Sequence, residues 1–487
     1  MHKDKFIEAL AERFRAGTIS VFIGAGLSRP AMYPDWAGLL KDIAQEIGLD
    51  ASREDDLPGL AQFYLNHKSN ARTRITELIV KEFPENRGIP RSFRILARLP
   101  IPELWSTNYD TLPERAWAEA KKQMEVRPNQ ASLTRPHAGA HTVFYKMHGT
   151  VREPEGIVLA KEDYELYRAR RPGFIPLLTS RLTTTSMLFL GVGFRDPNLS
   201  HVFAAIREAN PDRNHQSHFT ILRRPPKPQG GGRKDREKHE YDTKRHEHLV
   251  RDLARYSIEV LEIDRFDEIE EVLAAVERRL FLESVLVSGS FPLHDTEPGD
   301  PLRRKLLVET STELGRLLAS SGKRIVSGFG LTVGAALLSG ALEELYAAGS
   351  PNLDRSLLLR PFPQSGPNLA DLQARYREDM LAQAGIVVFV GGEKDDEAMG
   401  GGSRRITANG VISEFEAAAA SGRHVVPLGA TGGAAAQIAD RIADDYDRYM
   451  GALPRALFDA LRATDASGRQ LAKAAMTVVD WYSSRGS

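Results

Sequence analysis

The chain has 487 residues, 42% apolar and 27% charged, enough for two or three globular domains rather than one. Its 65 basic residues balance 65 acidic ones, which argues against a general nucleic-acid binder, and no run of about 18 apolar residues marks a membrane span. Cysteine is absent, which excludes disulfides and thiolate zinc sites and makes a reducing cytoplasm the expected location.

The N-terminal MHKDKFIEALAERF reads as an amphipathic helix rather than a signal peptide, with Phe6, Ile7, Leu10 and Phe14 on one face. Short apolar, β-branched runs follow at Ile19–Ile23, Glu103–Ser106, Thr142–Met147, Met187–Leu190, Phe219–Leu222 and Ile258–Ile263, with helical patterns between them. Such alternation predicts βαβ units, hence parallel sheets with helices on both faces. The stretch Leu49–Arg98 is helical in pattern with no strand, as expected of a helical insertion into the first sheet. Arg223–His248, with three consecutive glycines and dense mixed charge, reads as a solvated loop leading into a helix. Its histidines, His239, His246 and His248, suit a solvated helix face better than a metal site. The pattern around Ile269–Leu282 closes the first domain, with Leu273, Val276 and Leu280 on one side. A second series of strands is then expected at Ser284–Ser288, Arg324–Ser327, Leu357–Arg360, Ile386–Val390 and His424–Leu428. The expected fold class is α/β: two Rossmann-like parallel-sheet domains, 1–282 and 283–487, the first with a helical insertion.

Chemistry-bearing motifs sit at strand ends. SVFIGAGLS (Ser20–Ser28) runs a buried strand into Gly24-Ala25-Gly26 and Ser28. Glycines let the backbone turn sharply and approach a ligand, and free N–H groups at such a turn can cradle a pyrophosphate. A plain tight turn fits the same residues. WSTNYD (Trp105–Asp110) and YKMHG (Tyr145–Gly149) close two more strands. A lone His148 is ordinarily a structural histidine and Asn-x-Asp ordinarily a turn. Ligands of parallel sheets bind outside the carboxyl ends of the strands, so three polar motifs at three such ends favour a common crevice. Trp105 and Tyr109 read as packing.

GAGLS, TNYD and HG, in that order, resemble the nucleotide-binding and catalytic set of the sirtuin family over roughly the first 280 residues. The resemblance implies a sheet that holds NAD as substrate on Gly24, Ala25, Gly26 and Ser28. It also implies Asn108 and Asp110 beside the nicotinamide ribose, with His148 as general base. GVGFRDPNLS (Gly191–Ser200) stands where that family has another cofactor-contacting loop, which brings Asp196 to the nucleotide; a turn with a helix N-cap is the local alternative. The family's four-cysteine zinc module is missing, and AMYPDWAGLL (31–40) replaces its GIPDFR-like segment. Both departures speak against protein deacylation and leave the half of the machinery that breaks the nicotinamide–ribose bond, with no metal required.

In the second domain VLVSGS (Val285–Ser290) and RIVSGFGLTVG (Arg324–Gly334) are glycine-rich strand ends, and ISEF (Ile412–Phe415) opens a helix. These resemble the SLOG family of nucleotide sensors. With RPFPQ (Arg360–Gln364) and YREDM (Tyr376–Met380), the whole chain resembles the NADase effectors of the bacterial Thoeris antiphage system. That resemblance implies an activator, a cyclic ADP-ribose isomer made by a partner TIR-domain protein. Its implied contacts are Gly289, Ser290, Gly328, Phe329, Gly330, Arg377, Lys394 and Glu414. Arg377 and Lys394 suit a pyrophosphate, and Glu414 suits ribose hydroxyls. Lys394 lies in the loop GGEKDDEAMGGGSRR (391–405). A homo-oligomer, a tetramer or a filament, is implied as well, and neither membrane nor nucleic acid. The expected function is an antiphage NAD glycohydrolase yielding nicotinamide and ADP-ribose. The alternatives are a sirtuin-type deacylase or ADP-ribosyltransferase, distinguished by its acceptor, and a non-catalytic nucleotide-binding scaffold, which the joint presence of Asn108 and His148 opposes.

Overall fold

A strand with no polar residue facing outward has to be covered on both sides. In the computed structural model two such strands, β1 (Ile19–Ile23) and β5 (Ser186–Leu190), each wholly buried, lie side by side in the middle of a seven-stranded sheet. The structure describes residues 2–67, 72–136, 139–194, 196–209, 217–228, 232–349, 353–363, 368–396 and 405–485. The chain divides into two units, Met1–Glu277 and Arg278–Ser487, and the division falls within the helix Glu268–Leu282.

The first sheet is completed by β2 (Glu103–Ser106), β3 (Met124–Arg127), β4 (Thr142–Lys146), β6 (His218–Arg223) and β7 (Ile258–Ile263), in the order β3-β4-β2-β1-β5-β6-β7. All neighbours are parallel. Without the edge strand β3 this is the doubly wound order of a dinucleotide-binding sheet, reversing direction between β1 and β5. Sequence analysis missed β3. Only Arg127 of its four residues is buried, so an edge strand this exposed carries no apolar signal. Helix α1 (Lys3–Ala16) buries the predicted Phe6, Ile7, Leu10 and Phe14, and Gly17, at φ 61°, ends it in the left-handed conformation. Helices Leu57–His67, Thr73–Glu82 and Arg91–Arg98 fill the expected insertion. Arg72 fastens it to the rest of the unit through two bonds to Asp163, 2.6 and 2.9 Å long. The charged segment becomes the helix Arg233–Ala254, whose His246 pairs with Glu262 of β7 at 2.9 Å.

The second unit holds a five-stranded parallel sheet in the order β10-β9-β8-β11-β14, made of β8 (Ser284–Ser290), β9 (Arg324–Ser327), β10 (Leu357–Leu359), β11 (Ile386–Gly391) and β14 (His424–Leu428). Its strand order reverses between β8 and β11. An unexpected antiparallel hairpin, β12 (Glu393–Asp395) with β13 (Arg405–Thr407), follows β11. The long loop expected between them, 397–404, and Gln364 of the RPFPQ motif lie outside the described residues, as does Arg195 of GVGFRDPNLS. The core is built on β8 and β11 and on the helices that flank them, with Leu314, Leu337 and Phe415 fully buried. No helix among the described residues is long and apolar enough to cross a membrane.

Candidate functional site

In each sheet the reversal of strand order opens a crevice beyond the carboxyl ends of two neighbouring strands. In the first unit the GAG turn after β1 and the GVG turn after β5 meet there. Gly24 N–H donates to Leu190 O at 2.9 Å and Gly26 N–H to Gly191 O at 3.0 Å. A Cβ at Gly24 would stand 2.5 Å from Gly191 O, and one at Gly191, where φ is +66°, would stand 2.2 Å from Leu27 N. The glycines are therefore required by two backbones packed against each other. This corrects the expected anion cradle of free amides: the N–H groups of Gly24 and Gly26 are already bonded. The turn leads into a short helix, α2 (Ala25–Ser28), whose Leu27 N–H is likewise bonded, to Gly24 O at 3.1 Å.

Ser28 at the end of α2 meets the TNYD motif. Its hydroxyl donates to Asp110 Oδ2 at 2.9 Å and accepts from Asn108 Nδ2 at 3.2 Å. Asp110 Oδ1 accepts the Leu112 N–H at 3.0 Å, starting the next helix. The loop is tied to β1 through Ser106, whose hydroxyl accepts the Asn108 N–H at 2.9 Å and donates to Ile23 O at 3.0 Å. Ser28, Asn108 and Asp110 thus form one network. They line a void of about 30 Å³ with Tyr33 and Phe83, room for roughly one water. The Tyr33 and Phe83 rings lie tilted at 5.2 Å between centroids, and Phe83 meets Tyr109 edge-on at 5.6 Å.

His148 follows β4 and is 1% exposed. Gly149 behind it adopts φ +87°, a conformation that favours glycine. The imidazole Nε2 lies 3.1 Å from the Asn198 side-chain nitrogen and 3.5 Å from Asp196 Oδ2. Burial pushes its pKa below the usual histidine value, with the Asp196 charge pulling the other way and the Arg171 charge adding to the fall. The ring is therefore neutral at neutral pH, as a base has to be. Asp196 stands against this histidine and also caps the helix that begins at Pro197, accepting the Asn198 N–H at 2.9 Å.

Lys146 was not singled out in the sequence. It is fully buried, and its Nζ donates to the carbonyls of Asp110 (2.6 Å) and Tyr109 (3.3 Å) and pairs with Glu114 (3.1 Å). It locks the strand end carrying Asn108 to the one carrying His148. A lysine within an apolar strand, two residues before a strand-end histidine, was the available signal. Tyr33, Phe83 and Asn198 carried none, because only the fold brings them to the crevice.

In the second unit, a Cβ at Gly289 would stand 1.9 Å from Val390 O and one at Gly330 2.0 Å from Gly289 O. These glycines again serve backbone packing at the reversal point. Ser290 donates to Glu393 O at 3.0 Å. Phe329 holds a left-handed φ of 57° and is 45% exposed, next to Gly328 and Gly330. Arg377, in the helix Leu369–Leu381, has its Nε 3.8 Å from Glu414 Oε1, and its guanidinium lies 5.4 Å from the centre of the Phe362 ring. Glu414 is buried in the helix Asn409–Ala420. Burial raises its pKa above the usual carboxylate value, against the pull of Ser288 and Arg377. Arg377 and Glu414 are thus brought together. Lys394 is exposed on the hairpin, paired in register with Ile406, and stands outside that ion pair. A cleft of about 640 Å³ lies along β14 near its start, lined by Arg423, His424, Tyr449 and Trp481 and by none of the predicted contacts.

Comparison with known proteins matches residues 268–482 to the Sir2- and TIR-associating SLOG family and residues 102–249 to a SIR2-like domain. The chain is 34% identical over 447 residues to the NAD(+) hydrolase ThsA of Bacillus cereus (strain MSX-D12), covering 91% of this chain and 90% of that one. It is 34% identical over 472 residues to the NAD(+) hydrolase ThsA of Enterococcus faecium, covering 96% of each. The chain belongs to the ThsA family of NAD(+) hydrolases. A defense-associated sirtuin 2 of Bacillus subtilis is 26% identical over 234 residues, 46% of this chain and 22% of that protein. The resemblance to Thoeris effectors is thereby borne out. The ThsA-family chain keeps its GAGLS turn outside the SIR2-like match, so that element is read from geometry: it meets TNYD through Ser28 and Asn108.

Proposed function

We propose that this chain hydrolyses NAD to nicotinamide and ADP-ribose as an antiphage effector. The reaction would take place in the crevice beyond β1 and β5. It would be switched on by a cyclic ADP-ribose isomer, supplied by a TIR-domain protein and held beyond β8 and β11. The observation that carries the reading is the Asn108–Ser28–Asp110 network at the reversal point of a dinucleotide-type sheet, joined through Lys146 to a strand end bearing a buried neutral histidine.

The chemistry needs little more. Nicotinamide leaves a cationic linkage as a neutral molecule, so no acid has to protonate it. The site has to hold the ribose, stabilise an oxocarbenium-like centre and direct water. Asn108 has a donor and an acceptor for the ribose hydroxyls or the water, and His148 accepts a proton. Homo-oligomeric assembly belongs to the same reading.

In the second crevice the Arg377 guanidinium suits a pyrophosphate and Glu414 suits ribose hydroxyls, with Phe329 offering an aromatic face. The test is nicotinamide release from purified protein and NAD, with and without cyclic ADP-ribose isomers. Release that rises with one isomer is expected. No release under either condition, from protein that binds NAD, would overturn the reading in favour of a scaffold.

A further inference from the structure

The head of the helix Pro197–Ala209, here α3, meets His148 in a way that nucleotide binding does not require. Asp196 Oδ1 accepts the N–H groups of Asn198 (2.9 Å) and Leu199 (3.3 Å), which pins the carboxylate and turns Oδ2 toward the ring. Nε2 therefore faces both Asp196 Oδ2, at 3.5 Å, and the Asn198 amide, at 3.1 Å. Nδ1 is buried with no hydrogen-bond partner among the described residues.

Two proton arrangements fit these contacts. With the proton on Nδ1, Nε2 accepts from the Asn198 amide at 3.1 Å, but its lone pair also faces the Asp196 carboxylate and a buried N–H goes unpaired, and these last two are unfavourable. With the proton on Nε2, the N–H points at Asp196. The Asn198 amide then turns its oxygen to the ring, since its two ends occupy nearly the same space. Nδ1 keeps a free lone pair. The second arrangement is favoured. It is that of a base oriented through one nitrogen and reactive at the other.

We propose that Asp196 and Asn198 are positioning residues for His148: Asp196 accepts the Nε2 proton, and Nδ1 takes the proton of the attacking water. The proposal rests on the NAD-cleavage reading above. As the water oxygen bonds to C1′ of the ribose, the C1′–N bond breaks and its electron pair leaves with neutral nicotinamide. The water proton passes to Nδ1, directly or through a ribose hydroxyl, and then to solvent. The imidazolium formed in between carries two N–H groups, and the Asp196 carboxylate offsets its charge. The other groups facing the ring are Tyr164 and Tyr167, edge-on at 5.4 and 6.2 Å, with Asp163 adding to the effect of Asp196 and Arg171 opposing it. Asp196 is thus moved from the nucleotide contact expected in sequence to the base.

The test is Asp196→Asn, which keeps a helix cap of equal quality and removes only the charge. The expected kcat falls about 10- to 100-fold while KM for NAD stays within about twofold. The acid limb of the kcat profile moves to lower pH, because the imidazolium loses its counter-charge. Independently of turnover, a titration of 13C-labelled histidines by NMR, with His148→Gln identifying the resonance, finds His148 titrating lower in Asp196→Asn than in the parent. Asn198→Ala also lowers kcat. A raised KM with unmoved kcat and titration would return Asp196 to the nucleotide. A lower melting temperature with unchanged kcat would make both residues mere caps. A faster Asn198→Ala would mean that the amide blocks the base. If the parent cleaves no NAD, a shifted His148 resonance upholds the Asp196 pairing and sinks only the NAD reading; an unshifted one sinks the pairing.

Discussion

The two crevices of this chain are built alike and equipped differently. Each lies where a parallel sheet reverses its strand order, and in each the glycines at the strand ends serve close backbone contact, Gly24 against Gly191 and Gly289 against Val390. The first is lined by the hydrogen-bonded set Ser28, Asn108 and Asp110, with a neutral buried histidine at the end of neighbouring β4. The second holds an ion pair, Arg377 with Glu414, and none of its expected contacts is a histidine. A shared frame thus carries different sets of side chains, as expected where function resides in the site rather than the fold.

The largest effects should come from breaking the first crevice. His148→Gln and Asn108→Ala are each expected to cut nicotinamide release about 100-fold or more without lowering the melting temperature. Normal turnover in either folded variant would remove the contrast between a reacting and a sensing crevice.

Next comes the second crevice. Arg377→Ala withdraws the cation paired with buried Glu414 and should abolish the response to the cyclic nucleotide, with its affinity by calorimetry reduced about 100-fold. The KM for NAD should stay as it was. A variant that binds no ligand yet is still switched on by it would show that sensing happens elsewhere, and the cleft beside His424 would become the place to look.

The smallest effect sharpens the comparison through pH. Asp300, at the head of the helix Asp300–Ser320, is buried against the Arg405 guanidinium of the hairpin. Burial pushes its carboxyl up, but the N–H groups of Thr296 and Glu297 and the Arg405 charge outweigh this and hold it at about 2. A depressed carboxylate contributes stability that is fully present above its unfolded value of 3.8 and lost as pH falls through about 2. The urea midpoint of the second unit should therefore fall across that window, and Asp300→Asn should flatten the fall. An equal slope in parent and variant would remove Asp300 from the account of acid sensitivity.

Much was legible in the sequence because it depends on short-range pattern. The central strands are unbroken apolar runs, the insertion lacks any such run, and Asn108 and His148 stand at strand ends recognisable from the turns after them. Strand β3 was not legible, since at a sheet edge only Arg127 had to be buried. The role of the GAG amides was misread because their acceptors, Leu190 O and Gly191 O, come from a strand more than half the first unit away in sequence. The antiparallel hairpin that carries Lys394 was not legible either, and on it the lysine is exposed.

The sequence by itself determined where backbone can be buried in strands, where it must turn, and that no thiolate can bind metal. The tertiary structure alone decided which turn lies against which, and so which partners a polar group finds. His148 shows the difference. Its position after β4 is written in YKMHG, but its burial, its neutral state and its pairing with Asp196 and Asn198 arise only when α3 packs over it. Desolvation and charge pairing act over a few ångströms of space and are indifferent to distance along the chain.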